Sequence, residues 1–188
     1  MKPIAGMALI GATLLAGCMD NTSGGTQAEP AVMTTRAEQA AYLSQITESF
    51  IAATPTGQAS FTGLVADADF MTDNTSGISG KVVAGVNFDS NTISMQLSDF
   101  NSATASVAGN VSISASWDET TAPGVTTAAT VTNVEGTYAG QDVTSASMTT
   151  AVKEGTVTNN NLLSGAIMMG GASGGLFSGS YFAYQDVN

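Results

Sequence analysis

From residue 59 onward the chain alternates apolar and polar residues at period two, in short runs broken by Gly and Asn. Val82, Ala84, Val86 and Phe88 fall on one face of one run, and Ile93, Met95 and Leu97 on one face of the next. Asp89-Ser90-Asn91 between them has the length and composition of a hairpin connection. Val107, Gly109, Val111, Ile113 and Ala115 continue the pattern, followed by "AATVTNVEGTYAG", "TSASMTTAVKEGTVT", "LLSGAIMMG" and "GGLFSGSYFAYQD". Successive side chains of a strand point to opposite faces, so such alternation commits one face to a core and the other to solvent. The count comes to about eight strands at the spacing of a sandwich or barrel. No strand–helix alternation is visible, which excludes a parallel α/β sheet. The expected fold is all-β, a single roughly eight-stranded antiparallel barrel over residues 59–188, preceded by one short helix. The first run, "SFTGLVADADF", reads as a strand throughout, with Asp67 and Asp69 on one face.

Ser or Thr followed by Gly recurs inside these runs, as Ser79-Gly80, Ser164-Gly165, Ser178-Gly179 and Thr62-Gly63. Glycine weakens a strand interior unless the chain bends or another backbone comes close. Barrel closure requires such places, so these glycines read as barrel corners and not as ligand loops.

Residues 35–53, "TRAEQAAYLSQITESFIAA", form the helical segment. Thr35 and Glu38 make a capping box. Tyr42, Ile46 and Phe50 are spaced by four and Leu43 lies three before Ile46, giving one apolar stripe to lay across a sheet or barrel end. The alternative is a membrane-lying or partner-binding helix, although a membrane-surface helix wants Lys and Arg on its polar face and this one has Arg36 against Glu38 and Glu48. Thr54-Pro55-Thr56-Gly57 ends it.

The amino-terminal residues read as an address. Lys2 precedes an apolar run from Ile4 to Ala16, too short for the ~20 residues that span a bilayer. Leu14-Leu15-Ala16-Gly17-Cys18 resembles the lipobox of bacterial lipoproteins. The resemblance implies cleavage before Cys18, diacylglycerol on its thiol and acylation of the new amino terminus. Two or more acyl chains make anchoring stable. Cys18 is the chain's one cysteine, so no disulfide is available and the fold must rest on its core. Met19, not Asp, follows it, which points to the outer membrane, facing periplasm or cell surface. The expected organisation is a signal peptide over 1–17, a lipidated flexible tether over 18–33, helix and linker over 34–58, and the barrel over 59–188.

Charge restricts the partners. The chain has 4 basic and 15 acidic residues, and removal of Lys2 with the signal leaves a formal −12. Nucleic acid is excluded by repulsion from its phosphates. There is no His, which removes Ser-His-Asp and Cys-His chemistry and the commonest transition-metal ligand. Carboxylates remain: Asp67 with Asp69, and Asp118 with Glu119. Either pair fits a solvated face better than glycoside hydrolysis or calcium binding, because "DAD" lacks a full oxygen-ligand loop. Met168 and Met169 are neighbours that a strand would send to opposite faces. Trp117, Tyr138, Tyr181, Phe182 and Tyr184 read as core or barrel wall. No cofactor, metal site or catalytic residue is expected.

Two stretches carry a family resemblance. "GISGKVVAGVNFDSNTISMQLSDF", residues 77–100, resembles the first long hairpin of the transferrin-binding-protein-like barrel lipoproteins. The shared features are a Gly before the strand, an aromatic before an acidic turn and a Thr-aliphatic-Ser return. "LLSGAIMMGGASGGLFSGSYFAY", residues 162–184, resembles that family's closing hairpin. The resemblance implies an eight-stranded barrel on a lipid-anchored tether that captures a protein or small solute, in the family's best-known members in iron or haem acquisition. This chain has room for one barrel, and residues 170–175 lack the acidic or aliphatic residue that usually precedes the Gly pair, so transferrin itself is not carried over as ligand. The alternative is a structural envelope lipoprotein with no captured ligand. Variable function on such scaffolds sits in connections. The candidates are residues 71–79, 118–127, 158–161 and 170–175, with Asp73, Asp118 and Glu119 offering negative charge to a basic partner.

Overall fold

The computed structural model describes residues 33–46, 49–118, 125–155 and 161–186. In chain order these form α1 (Arg36–Gln45), β1 (Phe50–Ala52), β2 (Gln58–Ala66), α2 (Ala68–Asp73), β3 (Ser79–Asn87), β4 (Thr92–Asn101), β5 (Ser106–Val107), β6 (Gly109–Ser116), β7 (Thr127–Tyr138), β8 (Gln141–Asp142), β9 (Ser145–Gly155), β10 (Asn161–Gly171) and β11 (Gly174–Gln185). Eight long strands pair antiparallel in the order β2-β3-β4-β6-β7-β9-β10-β11, and β11 returns to β2. The result is a closed up-and-down barrel with three short accessory strands, β1, β5 and β8.

The period-two sets face inward as expected. Val82, Ala84, Val86, Ile93, Met95, Leu97, Val111, Ile113 and Ala115 are all buried, and Phe61, Leu163, Ile167, Met169, Tyr181 and Ala183 complete the core from the other side. The intervening outward residues are mostly small and polar, among them Ser94, Gln96, Ser112, Thr130 and Ser147. A bilayer-spanning barrel presents the reverse, an apolar band outside and a polar interior. The wall of this barrel is therefore a water-facing surface around an apolar core.

β2 is buried on both faces from Phe61 to Ala66. Its inward residues Phe61 and Val65 belong to the barrel core, while Leu64 and Ala66 lie with Met33, Tyr42 and Phe70 in a second apolar layer. That layer is α1 and α2 laid on the outside of the wall. A strand covered on both sides has no reason to alternate, which is why "FTGLVA" breaks the pattern of the other strands.

The helical expectation needs two corrections. Helix α1 stops at Gln45, with Ile46 as C-cap at φ −80°, ψ 65°. Phe50–Ala52 are not helical; they pair with Gly155–Lys153 of β9. Phe50 still reaches the same target as Tyr42: both rings lie about 6 Å from Tyr184 (6.1 and 6.2 Å). The spacing of four had the right face for the wrong backbone state. The second correction is α2. Asp67 and Asp69 do not share a strand face. Asp67 caps α2, its Oδ1 accepting from Phe70 N at 2.9 Å, and Asp69 lies exposed in the first turn.

The Ser/Thr-Gly positions lie within strands at points of close backbone approach. A Cβ on Gly63 would overlap Phe182 O, and one on Gly165 would overlap Thr149 O. These positions are built by neighbouring strands, not by ligand loops.

Closure is uneven. β7 and β9 pair only over Thr127–Ala129 with Met148–Thr150. The other junctions of the barrel run over six to ten residue pairs each. β7 also carries a bulge at Thr132, where Ser114 pairs Asn133 and Ala115 pairs Val131.

Candidate interaction surfaces

The entry of the chain onto the barrel is fixed in detail. Thr35 Oγ1 accepts from Glu38 N, and Glu38 Oε2 accepts from Thr35 N at 2.9 Å and Thr34 N at 3.0 Å, completing the capping box. These amides, Thr35 first, hold the Glu38 carboxyl below the ordinary range. Gln39 is fully buried and fully bonded: its amide donates to Met33 O and Asp99 O, and its Oε1 accepts from Ser79 Oγ at 2.6 Å. The Arg36 guanidinium donates to Gly77 O and Ser76 O and lies 4.6 Å from the Phe70 ring centroid. Tyr42 Oη donates to Thr62 O and accepts from Tyr184 N, both at 3.1 Å, so one hydroxyl joins β2 to β11. Its burial raises the phenol well above its ordinary pKa and keeps it protonated.

The four connections expected to carry binding do not converge. Asp73 follows β2, at the end where β2 finishes and β3 begins; residues 170–175 lie at this same end, beside β8. Asp118 follows β6, at the opposite end, beside the β3–β4 turn. Asp73 and Asp118 are both exposed, but a single partner could not bridge them without spanning the length of the strands. Glu119 and Cys18 lie outside the described residues, as do residues 156–160.

Asp73 is also a structural residue. Its Oδ1 accepts from Thr75 N at 2.8 Å and Ser76 N at 2.9 Å, and its Oδ2 accepts from Ser76 Oγ at 2.8 Å. The Ser76 and Thr75 amides pull its pKa down to about 2. The charge remains solvated and available, but the carboxylate shapes the turn first. Asp67 is used in the same manner, with Oδ2 accepting from Ile78 N at 2.7 Å. Among the described residues no three of His, Cys, Asp and Glu are grouped to hold a metal ion.

Residues 170–175 are more regular than a mobile loop. β10 and β11 pair out to Gly171 and Gly174, leaving Ala172-Ser173 as the turn, and Ser173 Oγ donates to Gln141 Oε1 at 2.9 Å. Met168 is exposed and Met169 buried, on opposite faces as expected. Tyr138 and Tyr181 are core residues, and Trp117, Phe182 and Tyr184 are half-buried. Tyr138 packs with Phe100 and Phe177, ring centroids 4.9 and 5.8 Å away.

Sequence reasoning did not find Asp186. Its Oδ2 accepts from Thr62 Oγ1 at 3.3 Å, while its Oδ1 is buried with no hydrogen-bond partner. Burial raises its pKa, against the opposing effects of Thr62 and Lys81. Nothing in "YQDVN" signals this, because Thr62 lies 124 residues away.

No protein-family model, no curated protein and no solved structure matches the chain.

Proposed function

We propose that the chain is a lipid-anchored envelope binding protein of the transferrin-binding-protein-like barrel type, held at the outer membrane through Cys18 and capturing a partner on the outside of its barrel. The lipobox-like Leu14–Cys18 stretch and the two hairpin resemblances support the class. The observation that carries the mode of binding is the interior, filled by Phe61, Ile93, Met95, Leu97, Ile113, Leu163, Ile167 and Tyr181, each under 2 % exposed. An eight-stranded barrel either fills with side chains or holds one small ligand, and these side chains fill it. A protein partner therefore fits better than an enclosed solute. If that partner carries iron or haem, recognition is of the carrier's surface, since the chain has no His and its single Cys is the lipid acceptor. Binding rather than catalysis is favoured because Asp67 and Asp73 are committed to backbone amides.

Two measurements test this. Fatty-acid labelling should be lost in Cys18→Ser; equal labelling of mutant and parent removes the anchor. The full-length protein in detergent should retain one protein in stoichiometric amount from host fluid or growth medium, released as salt rises. No such retention from any source removes capture and leaves the structural envelope role.

A further inference from the structure

The two ends of the barrel are closed differently. The chain enters at one of them, where Gln39 donates to Asp99 O and Asn101 donates to Thr34 O. There Phe100, Tyr138 and Phe177 pack ring to ring and all three are buried. At the other end, the inward rows of β3 and β6 run on past Val86 and Ala115 to Phe88 and Trp117, which pack on the core yet stay half-exposed. Ile51 of β1 pairs with Glu154, which lies two residues beyond Val152 on the inner face of β9. Ile51 is 54 % exposed, and Val125, just ahead of β7, is 51 % exposed. Apolar surface thus remains at this mouth, above a floor filled by Phe61, Ile93 and Leu163.

The mouth has two unlike sides. Going round the strand order, β1, β6 and β3 bring Ile51, Trp117 and Phe88 to one side, and Val125 leads into β7 between them. β9, β10 and β11 bring Glu154, Asn161 and Gln185 to the other, with Asn161 Nδ2 donating to Gln185 Oε1 at 2.7 Å. Among the described residues no hydrogen bond or ion pair reaches the Glu154 carboxylate. The interior of an eight-stranded barrel is only wide enough for side chains. One long side chain entering here therefore touches both sides.

What the apolar side and the carboxylate share is a fit to a basic side chain, and this chain cannot supply one. Its basic residues are Lys2, Arg36, Lys81 and Lys153. Arg36 is held at the opposite end by Ser76 O and Gly77 O. Lys81 and Lys153 are half-buried on the outer face, in register with Leu64 and Leu162. Lys2 belongs to the stretch read as a signal. Residues 119–124 and 156–160, which join strands at this end, contain no Lys or Arg. A second copy would have to offer Lys81 or Lys153 from the flat of its wall, and would bring the same net negative charge. Asp89 and Asp118, both exposed, add acidic charge to the rim.

We infer that this mouth is the docking site for a basic partner protein, which inserts one Arg or Lys side chain from a protruding loop, its aliphatic stem against Ile51, Trp117 and Phe88 and its cation on Glu154. The inference rests on the capture reading above and gives it a location. Long basic side chains lay their stems on apolar surface while the charged head keeps polar partners. A cation over the Trp117 ring gains a further attraction. The carboxylates of the rim speed the approach of a basic surface and make it sensitive to salt. Everything but that one side chain stays outside the barrel, as the filled interior requires.

Trp117 is the chain's one Trp, so its fluorescence reports on the mouth directly. The probes are a cyclic peptide, Gly-Ser-Leu-Arg-Ser-Gly, and the same cycle with neutral citrulline for Arg. Each is titrated into the full-length protein in lipid nanodiscs at low salt. The Arg peptide should shift Trp117 emission and saturate at roughly millimolar concentration. The citrulline peptide should bind about three- to tenfold more weakly. Glu154→Gln should bring the Arg peptide down to the citrulline peptide and leave the latter unchanged, the signature of a direct pair. Ile51→Ser, at an exposed position, should weaken both alike. Unchanged Trp117 emission, equal binding of the two peptides, or no separate effect of Glu154→Gln on the Arg peptide overturns the site. So does a Trp117 that acrylamide reaches only after residues 119–124 are replaced by Gly-Ser, since the chain then covers its own mouth. A dimer in sedimentation that Glu154→Gln dissociates overturns it in favour of a second copy. If a partner is retained from fluid equally by Glu154→Gln and neither peptide binds, the mouth site is wrong and capture stands. If the peptides behave as described while nothing is retained from any fluid, the mouth chemistry holds and the capture reading falls.

Discussion

Tyr42 places one hydroxyl between two strands, and its replacement isolates that hydroxyl from its ring. Tyr42→Phe keeps the contact with Tyr184 but removes the hydroxyl's hydrogen bonds to Thr62 O and Tyr184 N under α1. Leaving a buried group unsatisfied costs about 1–3 kcal/mol, so a loss of that size in denaturant unfolding is expected, and an unchanged midpoint would mean that water replaces the hydroxyl. Two carboxylates titrate in opposite senses. Asp73 is depressed to about 2 by the Ser76 and Thr75 amides, so its contribution is complete above the ordinary carboxylate pKa and fades as pH falls toward 2. Asp186 is raised by burial, so the folded state holds its proton more tightly than the unfolded state does. Its contribution is greatest below the unfolded value and is lost as pH rises through the folded one. Asp186→Asn keeps an acceptor for Thr62 Oγ1 and removes the buried charge. It should raise the melting temperature at neutral pH and flatten its acid-side dependence, while Asp73→Asn should lower stability at neutral pH and not at pH near 2. Matching pH profiles for the two variants would contradict these assignments. Backbone strain gives a further case: Ala139 sits at φ 52°, and Ala139→Gly should stabilise by up to about 1 kcal/mol.

The elements differ in how far local sequence determines them. The β3–β4 hairpin was legible in full, because every second residue from Val82 to Leu97 faces the core and a turn separates the halves. The start of α1 was legible because a capping box is local chemistry. Its end was not. Phe50 continues a spacing of four, and only its pairing with Gly155, more than a hundred residues away, makes it a strand. α2 was hidden because six residues give too little periodicity, although the Asp67 cap three residues before Phe70 is a signal in retrospect. The candidate surfaces were less legible still. Which connections share an end of the barrel is a property of topology, set by pairings between residues far apart in the chain. Two predictions belong to these elements. Phe50 is half-buried, so Phe50→Ala should cost about 1–2 kcal/mol, below the ~3–5 of a fully enclosed aromatic. Gln39→Leu strands Ser79 Oγ and Met33 O beneath α1, while Asp99 O keeps the Asn101 amide, and should cost about 2–4 kcal/mol. It should also make α1 sensitive to limited proteolysis before the barrel is. Simultaneous loss of α1 and barrel would show that the helix is part of one cooperative unit.

As a whole the molecule is a meander whose neighbours in sequence are mostly neighbours in space, joined by one distant seam. β11 pairs with β2 from Ser180↔Ala66 to Gln185↔Phe61, residues more than a hundred positions apart. Hairpins of such a chain form locally and early, while a junction of this separation bears the loop-closure entropy of nearly the whole barrel. The last strand of the chain is therefore the one that completes the cylinder. A chain emerging amino terminus first has β2 exposed on one edge, and later β10 on the other, until the final twelve residues of β11 arrive. During that interval it is an open curved sheet with two sticky margins, the form in which β-proteins aggregate. The order of arrival is then a hazard: a chain cut short within β11 would not be a barrel lacking a hairpin arm but a sheet that never closes, and the cell's chaperones and proteases would meet it as such.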